Sequence, residues 1–262
     1  MKRYLVTGAA GGMGKAVCRA LTDAGAEVWG LDLSAEEGDP RMIRADVTDP
    51  ASLEAASMRV RAEAGTLDGI VHTAGIYNLA SLVELPEEAF LRIFDINLFG
   101  IYRTNRIFLP LLGEGGRIVM VSSELAPLDP LPFTGIYAIT KSAVEKYAAS
   151  LRMELQLLGF SVSVIRPGAV DTGMLPASTA ALERFSAETK LYPDSAGRFR
   201  HIVDSVESRA VPPGKVAEAA LEALTAARPK LVYNLNRNPL LRLLDALPQR
   251  LQLLVIRKIL KG

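Results

Sequence analysis

The chain has 262 residues, 49% of them hydrophobic, and its 30 Lys+Arg against 29 Asp+Glu leave a net charge of +1. That length and a mean hydropathy of +0.20 supply a core for one α/β domain, and the balanced charge excludes recognition of nucleic acid or another polyanion by bulk electrostatics. One cysteine, Cys18, excludes an internal disulfide and fits a reducing, cytoplasmic setting, and no apolar run approaches the ~20 residues of a membrane-spanning helix.

Tyr4-Leu-Val-Thr7 is a short apolar run that reads as a buried strand, with no secretory signal before it. Gly8-Ala-Ala-Gly11-Gly12-Met13-Gly14 follows, and Ala16, Val17, Ala20 and Leu21 then recur at helical spacing. Strand, glycine turn and helix form the context in which backbone N–H groups approach a dinucleotide pyrophosphate. Ala26 to Leu31 reads as the second strand and ends at Asp32, 18 residues beyond Gly14. A carboxylate at this place accepts from a ribose 2′-OH and repels a 2′-phosphate, so NAD is expected over NADP, the more so because Leu33 and Ser34 are not basic.

Met42 to Thr48 suggests a third strand and contains Asp46-Val47; Pro50 to Ala64 reads as a helix. Leu67 to Thr73 reads as the fourth strand, stopped by Ala74-Gly75. His72 and His201 have no Asp, Cys or His at metal-ligand spacing, so structural roles and no metal site are expected. Phe90 to Leu111 carries a long helical pattern with Asn97 inside it. Asparagine competes for backbone groups in a helix interior, so this one is expected to have a defined hydrogen-bonding task. Gly116 to Ser123 reads as the fifth strand with Ser122-Ser123 at its carboxyl end, where open parallel sheets bind ligands.

Ile136 to Leu158 predicts a helix holding Tyr137 and Lys141 on one face, one turn apart. A free phenol titrates near ~10 and a neighbouring ammonium lowers that value, so the pair is a candidate proton-transfer unit. Ser161 to Arg166 gives a sixth strand, followed by Pro167-Gly168-Ala-Val170-Asp-Thr172. Residues 173–213 lack a strong period and read as a loop with short helices, a lid over the site. Val216 to Ala227 suggests a helix and Lys230 to Tyr233 a last strand. The tail, 239–262, mixes Leu and Ile with Arg242, Arg250, Arg257, Lys258 and Lys261; it either packs on the body or a second subunit, or lies on a membrane surface as a basic amphipathic segment.

In this order and spacing, Thr7-Gly8-x-x-x-Gly12-x-Gly14, Asp32, Asp46-Val47, Ala74-Gly75, Asn97, Ser123, Tyr137-x-x-x-Lys141 and Pro167-Gly168-x-x-x-Thr172 resemble the short-chain dehydrogenase/reductase family over roughly Lys2 to Tyr233. Around the Tyr137 helix the sequence looks most like the retinol, 17β-hydroxysteroid and 3-hydroxybutyrate dehydrogenase branches. The resemblance implies one Rossmann-type doubly wound domain over 1–262, with a mostly parallel seven-stranded sheet and helices on both faces. It implies NAD(H) or NADP(H) and interconversion of an alcohol and its carbonyl compound, here an apolar secondary alcohol.

Carried over by position, Tyr137 is the acid/base, Lys141 lowers its pKa and holds the nicotinamide ribose, Ser123 binds the substrate oxygen, and Asn97 holds a proton-relay water. Gly8, Gly12, Met13, Gly14, Asp32, Asp46, Val47, Ala74, Gly75, Pro167, Gly168, Val170 and Thr172 complete the implied cofactor contacts. A homodimer or homotetramer through the Phe90–Leu111 and Tyr137–Leu158 helices is likewise implied. The chain departs from the family's usual Asn-Asn-Ala-Gly at His72-Thr73-Ala74-Gly75 and has one extra residue between Ser123 and Tyr137. Ser122 stands as an alternative substrate-binding hydroxyl, Glu124 has no assigned task, and Met174, Leu175, Pro176, Phe185, Leu191 and Tyr192 either line an apolar pocket or form lid core. The rival to an enzyme is a non-catalytic NAD-binding regulator or scaffold on the same fold.

Overall fold

The computed structural model describes residues 1–35, 38–172, 174–207 and 209–261, with backbone alone described at 174–178 and 204–207. Seven strands run β1 (Arg3–Thr7), β2 (Glu27–Asp32), β3 (Met42–Arg44), β4 (Leu67–His72), β5 (Leu112–Val121), β6 (Ser161–Pro167) and β7 (Val232–Leu235). They form one sheet in the order β3-β2-β1-β4-β5-β6-β7, and every pairing is parallel. This is the doubly wound architecture the sequence predicts. It reverses direction between β1 and β4, the position at which such sheets bind ligands.

Helices α1 (Gly12–Asp23), α2 (Pro50–Ala64), α3 (Glu87–Phe94), α4 (Gly100–Phe108) and α5 (Gly135–Leu155) precede β6, and α6 (Met174–Glu188), α7 (Pro193–Glu207) and α8 (Gly214–Thr225) follow it before β7. Strand side chains alternate between two cores. Leu5, Ile70, Ile118, Met120, Val162 and Val164 pack beneath α2, α4 and α5, whereas Tyr4, Val6, Val71, Val119, Val121 and Ile165 pack beneath α1 and α8. Burial on both faces explains why these strands read as continuous apolar runs rather than as alternating ones.

Three expectations are corrected. The long helix over Phe90–Leu111 is α3, then a π-helical turn at Asp95–Phe99, then α4 and a short 3₁₀ turn at Leu109–Leu111. One residue inserted into a turn leaves the apolar period nearly intact, so the sequence hides it. The segment from 174 onward is not loop with short helices: α6 and α7 each span 15 residues. They close around Phe133, whose ring meets that of Phe185 tilted and those of Tyr192 and Phe199 edge-on, at 4.6–5.4 Å between centroids. Phe185 and Tyr192 are therefore lid core, Leu191 is exposed, and the side chains of Met174, Leu175 and Pro176, like Gly173 itself, lie outside the described residues. Third, Asp46-Val47 stands just past the short β3 rather than within a longer strand.

The tail folds into α9 (Pro239–Asp245) and α10 (Gln249–Lys261) and packs on the body of the fold, one of the two alternatives its sequence left open. Ile256 and Leu260, spaced by one helical turn, pack into the aromatic cluster, Gln252 is buried and donates to the Leu247 carbonyl at 2.9 Å, and Arg198 donates to the Leu260 carbonyl at 3.1 Å. Leu240, Leu243, Leu251, Leu253 and Leu254 stay exposed. Among the described residues no helix is long and apolar enough to cross a membrane. Gly262 lies outside the described residues.

His72 ends β4, buried, with Nε2 bonded to Asn105 Oδ1 at 2.8 Å, and Asn105 Nδ2 donates in turn to the Tyr147 hydroxyl. Because the amide oxygen accepts, Nε2 carries the proton, and the ring is held neutral by burial that lowers its pKa to about 4. The unfolded chain binds that proton from about pH 6.5 downward and the folded chain does not, so stability falls as pH drops from 6.5 toward 4, by roughly 3 kcal/mol in full. Thermal melts of wild type and His72→Asn across this window are expected to show a shallower slope in the variant. An identical slope would assign the acid sensitivity to other groups.

Candidate active site

The site is built where β1, β4, β5 and β6 end. Gly8 follows β1 with φ +69°, and a Cβ there would stand 2.6 Å from the Ala74 nitrogen, which draws the first turn against the end of β4. The Thr73 hydroxyl donates to the Thr7 carbonyl at 2.7 Å and closes the same junction, so a threonine serves where the resemblance leads one to expect asparagine. Helix α1 begins at Gly12 with Gly11 as its N-cap and no side-chain cap bond. Its first N–H groups therefore face outward at the positive end of the helix dipole, which fits a diphosphate. Gly12 lies against Thr172, whose Cβ would be 2.8 Å from an added methyl, so the start of the lid touches the glycine turn.

Asp32 closes β2 with Oδ2 accepting the Ala10 N–H at 2.9 Å and Oδ1 accepting from the Ser34 N–H and hydroxyl. Two carboxylate oxygens offer about four lone-pair sites, so room for a ribose hydroxyl remains. The sheet register also sets Arg44 of β3 beside Asp32, a neighbour that no local reading of the sequence reveals. Asp46 accepts from the Thr48 N–H at 2.8 Å and the Thr48 hydroxyl at 2.7 Å, fixing a turn, and Val47 packs against Gly100 at the start of α4.

Tyr137 lies in the first turn of α5, buried, with Tyr77 edge-on at 4.6 Å between ring centroids. Ser123 is hydrogen-bonded to the Tyr137 hydroxyl. Ser122 turns the other way, donating to the Lys141 carbonyl at 3.3 Å and to Glu145 Oε1 at 3.1 Å, where Glu145 also pairs with Arg166. Of the two hydroxyls, Ser123 alone meets the tyrosine. Lys141 Nζ donates to the Val121 carbonyl at 3.1 Å and sits 5.6 Å from the Tyr137 ring centroid.

Asn97 is wholly buried within the π-helical turn. Its Oδ1 accepts the Ile76 N–H at 2.8 Å, and its Nδ2 donates to the Ile76 carbonyl at 3.0 Å and to Thr140 Oγ1 at 3.1 Å. The hydrogen-bonding task expected of it is thus a clamp between the loop after β4 and the Tyr137 helix. Gly75 keeps the space between Asn97 and Lys141 open: an added methyl would lie 3.1 Å from Asn97 Oδ1 and 3.6 Å from Lys141 Nζ.

The electrostatics correct one expectation. Burial pushes the Tyr137 phenol up to about 12, partly opposed by the Ser123 hydrogen bond, and burial lowers Lys141 to about 8. In the free protein, desolvation of both groups outweighs the tuning of Tyr137 by its neighbouring ammonium. Cys18 is raised to about 12 by burial and is no nucleophile.

These groups open onto a cavity of about 160 Å³. Met13, Gly75, Ser123, Tyr137, Lys141, Pro167, Gly168, Val170 and Thr172, all named from sequence, line it together. Gly8, Gly12, Gly14, Asp32, Asp46, Val47 and Ala74 lie along the adjoining turns rather than on its wall, as does Asn97 behind Gly75. Sequence reasoning missed the apolar wall made by Ile76, Tyr77, Leu131, Phe199, Ile202, Val203 and Leu241, and it left without a task Glu124, which is buried on that wall. Only the position of Glu124, directly after the serine, hinted at its place.

A family model described as short chain dehydrogenase matches residues 2–183. The chain is 32% identical over 239 residues to a "Probable oxidoreductase EphD" of Mycobacterium tuberculosis, covering 86% of this chain and 39% of that protein, so it spans well under half the length of that relative. It is 27% identical over 246 residues to a 3-ketodihydrosphingosine reductase of Bacteroides thetaiotaomicron, covering 92% of this chain and 90% of the relative. Among solved structures, a short-chain dehydrogenase from Streptomyces avermitilis superposes with a TM-score of 0.76 at 25% identity, over 100% of this chain and 97% of that one.

Proposed function

The chain belongs to the short-chain dehydrogenase family, and from that premise we propose that it is a nicotinamide-dependent oxidoreductase that interconverts an apolar ketone and its secondary alcohol. The observation that carries this reading is the meeting of Ser123, Tyr137 and Lys141 on one largely apolar cavity, with Asn97 clamped behind it. A scaffold has no use for a desolvated lysine beside a buried tyrosine, since the desolvated cation costs stability unless chemistry needs it.

The bound dinucleotide supplies the hydride. The chain's own residues do the rest. The N–H groups at the start of α1 and the turn Gly8–Gly14 hold the diphosphate, and Asp32 holds the adenosine ribose. Asp46 and Val47 flank the adenine side, Ala74 and Gly75 border the ribose path, and Pro167, Gly168, Val170 and Thr172 border the nicotinamide side. Ser123 donates to the substrate oxygen and keeps it against the Tyr137 hydroxyl. Tyr137 donates its proton to that oxygen in reduction and takes it back in oxidation. Lys141 stabilises the phenolate that Tyr137 becomes on donating its proton, and would hold the nicotinamide ribose. Asn97 positions this helix and, across the gap left by Gly75, a water that returns protons through Lys141. A neutral Tyr137 suits proton donation, and one matched relative is named as the reductase of a ketone, so reduction is the favoured direction.

NAD(H) is the proposed cofactor on account of Asp32, and one observation favours NADP(H) as a second reading: Arg44 stands beside that aspartate in the sheet register. Titrating nicotinamide fluorescence with NADH and NADPH separately tests both. Tighter NADH binding is expected, with Asp32→Asn improving NADPH binding by about tenfold or more through lost repulsion. Tighter NADPH binding that Arg44→Ala removes would establish the second reading, and binding of neither would revive the scaffold. A screen of apolar ketones and alcohols then tests the substrate class, which preferential turnover of small polar hydroxy acids would overturn.

The exposed Phe99 and Tyr102 of the proposed oligomer face support a homodimer or homotetramer, which sedimentation at monomer mass would refute. The exposed leucines of α9 and α10 beside five Arg and Lys support contact with an anionic membrane surface as a further use of the tail.

A further inference from the structure

Glu124 is the group in the cavity wall for which the proposed reaction has no use. Its N–H donates to the Pro167 carbonyl at 2.8 Å, which pins the residue between the ends of β5 and β6. The side chain is 4% exposed. Oε2 accepts the Asn238 N–H at 2.6 Å. Oε1 lies against Gly168, 2.9 Å from where a methyl would stand, and accepts no hydrogen bond among the described residues. Arg237 is close enough to be felt, but no cation forms an ion pair with Glu124 within 4.0 Å among the described residues.

Holding one backbone N–H needs an acceptor, not a charge; glutamine would serve. A carboxylate on a cavity wall that also carries Ile76, Leu125, Leu131 and Val203 is costly where its electrostatic neighbour Arg237 forms no ion pair with it. Burial accordingly raises its pKa. Ser123 and Glu124 are consecutive, so their Cα atoms stand about 3.8 Å apart, and both side chains line the same cavity. A molecule whose reacting oxygen is at Ser123 thus presents an atom one to three bonds away to Glu124.

We infer that Glu124 is a specificity-determining residue that recognises a cationic amine carried within a few bonds of the reacting carbon of an otherwise apolar ketone or alcohol. This rests on the oxidoreductase reading for the placement of the reacting carbon. The ammonium supplies the missing partner to Oε1 as a charge-assisted hydrogen bond, while the rest of the molecule meets the apolar wall.

The test uses the whole chain with its preferred dinucleotide, and compares an alkan-3-one with the 2-aminoalkan-3-one of the same length. Wild type is expected to favour the amino ketone by at least tenfold in kcat/KM. Glu124→Gln, which keeps an acceptor for the Asn238 N–H, is expected to lose that preference while retaining the neutral ketone, dinucleotide affinity and melting temperature within about twofold or 2 °C of wild type. Equal loss on both ketones, or weaker dinucleotide binding, would make Glu124 a structural or cofactor residue and overturn the inference. A second measurement is independent of turnover: binding of hexylamine and hexanol by calorimetry. Amine binding tenfold tighter than alcohol binding in wild type but not in Glu124→Gln supports the recognition site even with an inactive protein, in which case the oxidoreductase reading fails alone. Equal binding of the two ligands by wild type overturns the inference whatever the activity.

Discussion

Replacing Tyr137 by phenylalanine is expected to lower kcat by roughly 10²- to 10⁴-fold, the range a positioned acid/base contributes, with the fold and dinucleotide affinity intact. The ring is buried against Tyr77 and the Ile93–Ile136 cluster, and phenylalanine fills that space. Only the hydroxyl is lost, and with it the hydrogen bond to Ser123. Ser123→Ala should follow in the same direction, because the two oxygens converge on one substrate oxygen. The measurement is single-turnover reduction with prebound dinucleotide, which separates chemistry from binding. Wild-type turnover in Tyr137→Phe would remove the proton donor from the proposal; a parallel collapse of dinucleotide binding would assign the hydroxyl to cofactor placement.

The pH behaviour of this pair follows from burial. Lys141 titrates near 8 in the folded free protein and at 10.5 as the ordinary value, so between these limits the unfolded chain holds the extra proton. Stability from this group therefore rises with pH across that window and is lowest below it. Tyr137 acts oppositely between 10 and about 12, where the folded chain holds the extra proton. At neutral pH the lysine is a stored instability and the neutral tyrosine is not. That instability is a feature expected where desolvated groups are kept for chemistry rather than for packing.

What the sequence revealed and what it hid divide along physical lines. The strand–glycine turn–helix at Tyr4–Leu21 and the shared face of Tyr137 and Lys141 are local periodicities, and they survive folding unchanged. Asn97 was recognisable as an anomaly, since a helix interior disfavours it, but the π-turn that holds it leaves no mark on the apolar spacing. The apolar wall depends on distant segments. Leu241 comes from the tail and Phe199 from α7, and Phe199 reaches the cavity as part of the Phe133 cluster. Phe133 itself adopts φ +66°, an unfavourable backbone for a bulky residue, held by packing that no local pattern encodes. Arg44 beside Asp32 is a consequence of strand register alone. The burial of Glu124 is hidden for the same reason: it is decided by Asn238 and Gly168, 114 and 44 positions further along.

Gly14→Ala is expected to destabilise the fold by about 3 kcal/mol, the upper part of the overpacking range, and to abolish measurable dinucleotide binding. A Cβ at Gly14 would lie 2.0 Å from the Gly8 carbonyl oxygen, 2.7 Å from its carbon and 2.8 Å from Ala9 Cα. All three are backbone atoms, so no rotamer change relieves them, and α1 would have to move away from the end of β1. That movement displaces the N–H groups of the first helical turn from the place where a diphosphate binds. Gly12→Ala provides the control. Its added methyl meets Thr172 at 2.8 Å from Cβ, 2.9 Å from Cγ2 and 3.2 Å from Cα, so the segment after β6 has to give way, but the overlap is smaller than the 2.0 Å approach at Gly14. The milder variant should keep its melting temperature to within a few degrees and lose less affinity, by nucleotide titration and thermal melts in parallel. If Gly12→Ala proved the more damaging of the two, the tight approach of α1 to the first turn would not be what fixes the binding site, and the lid contact at Thr172 would take its place.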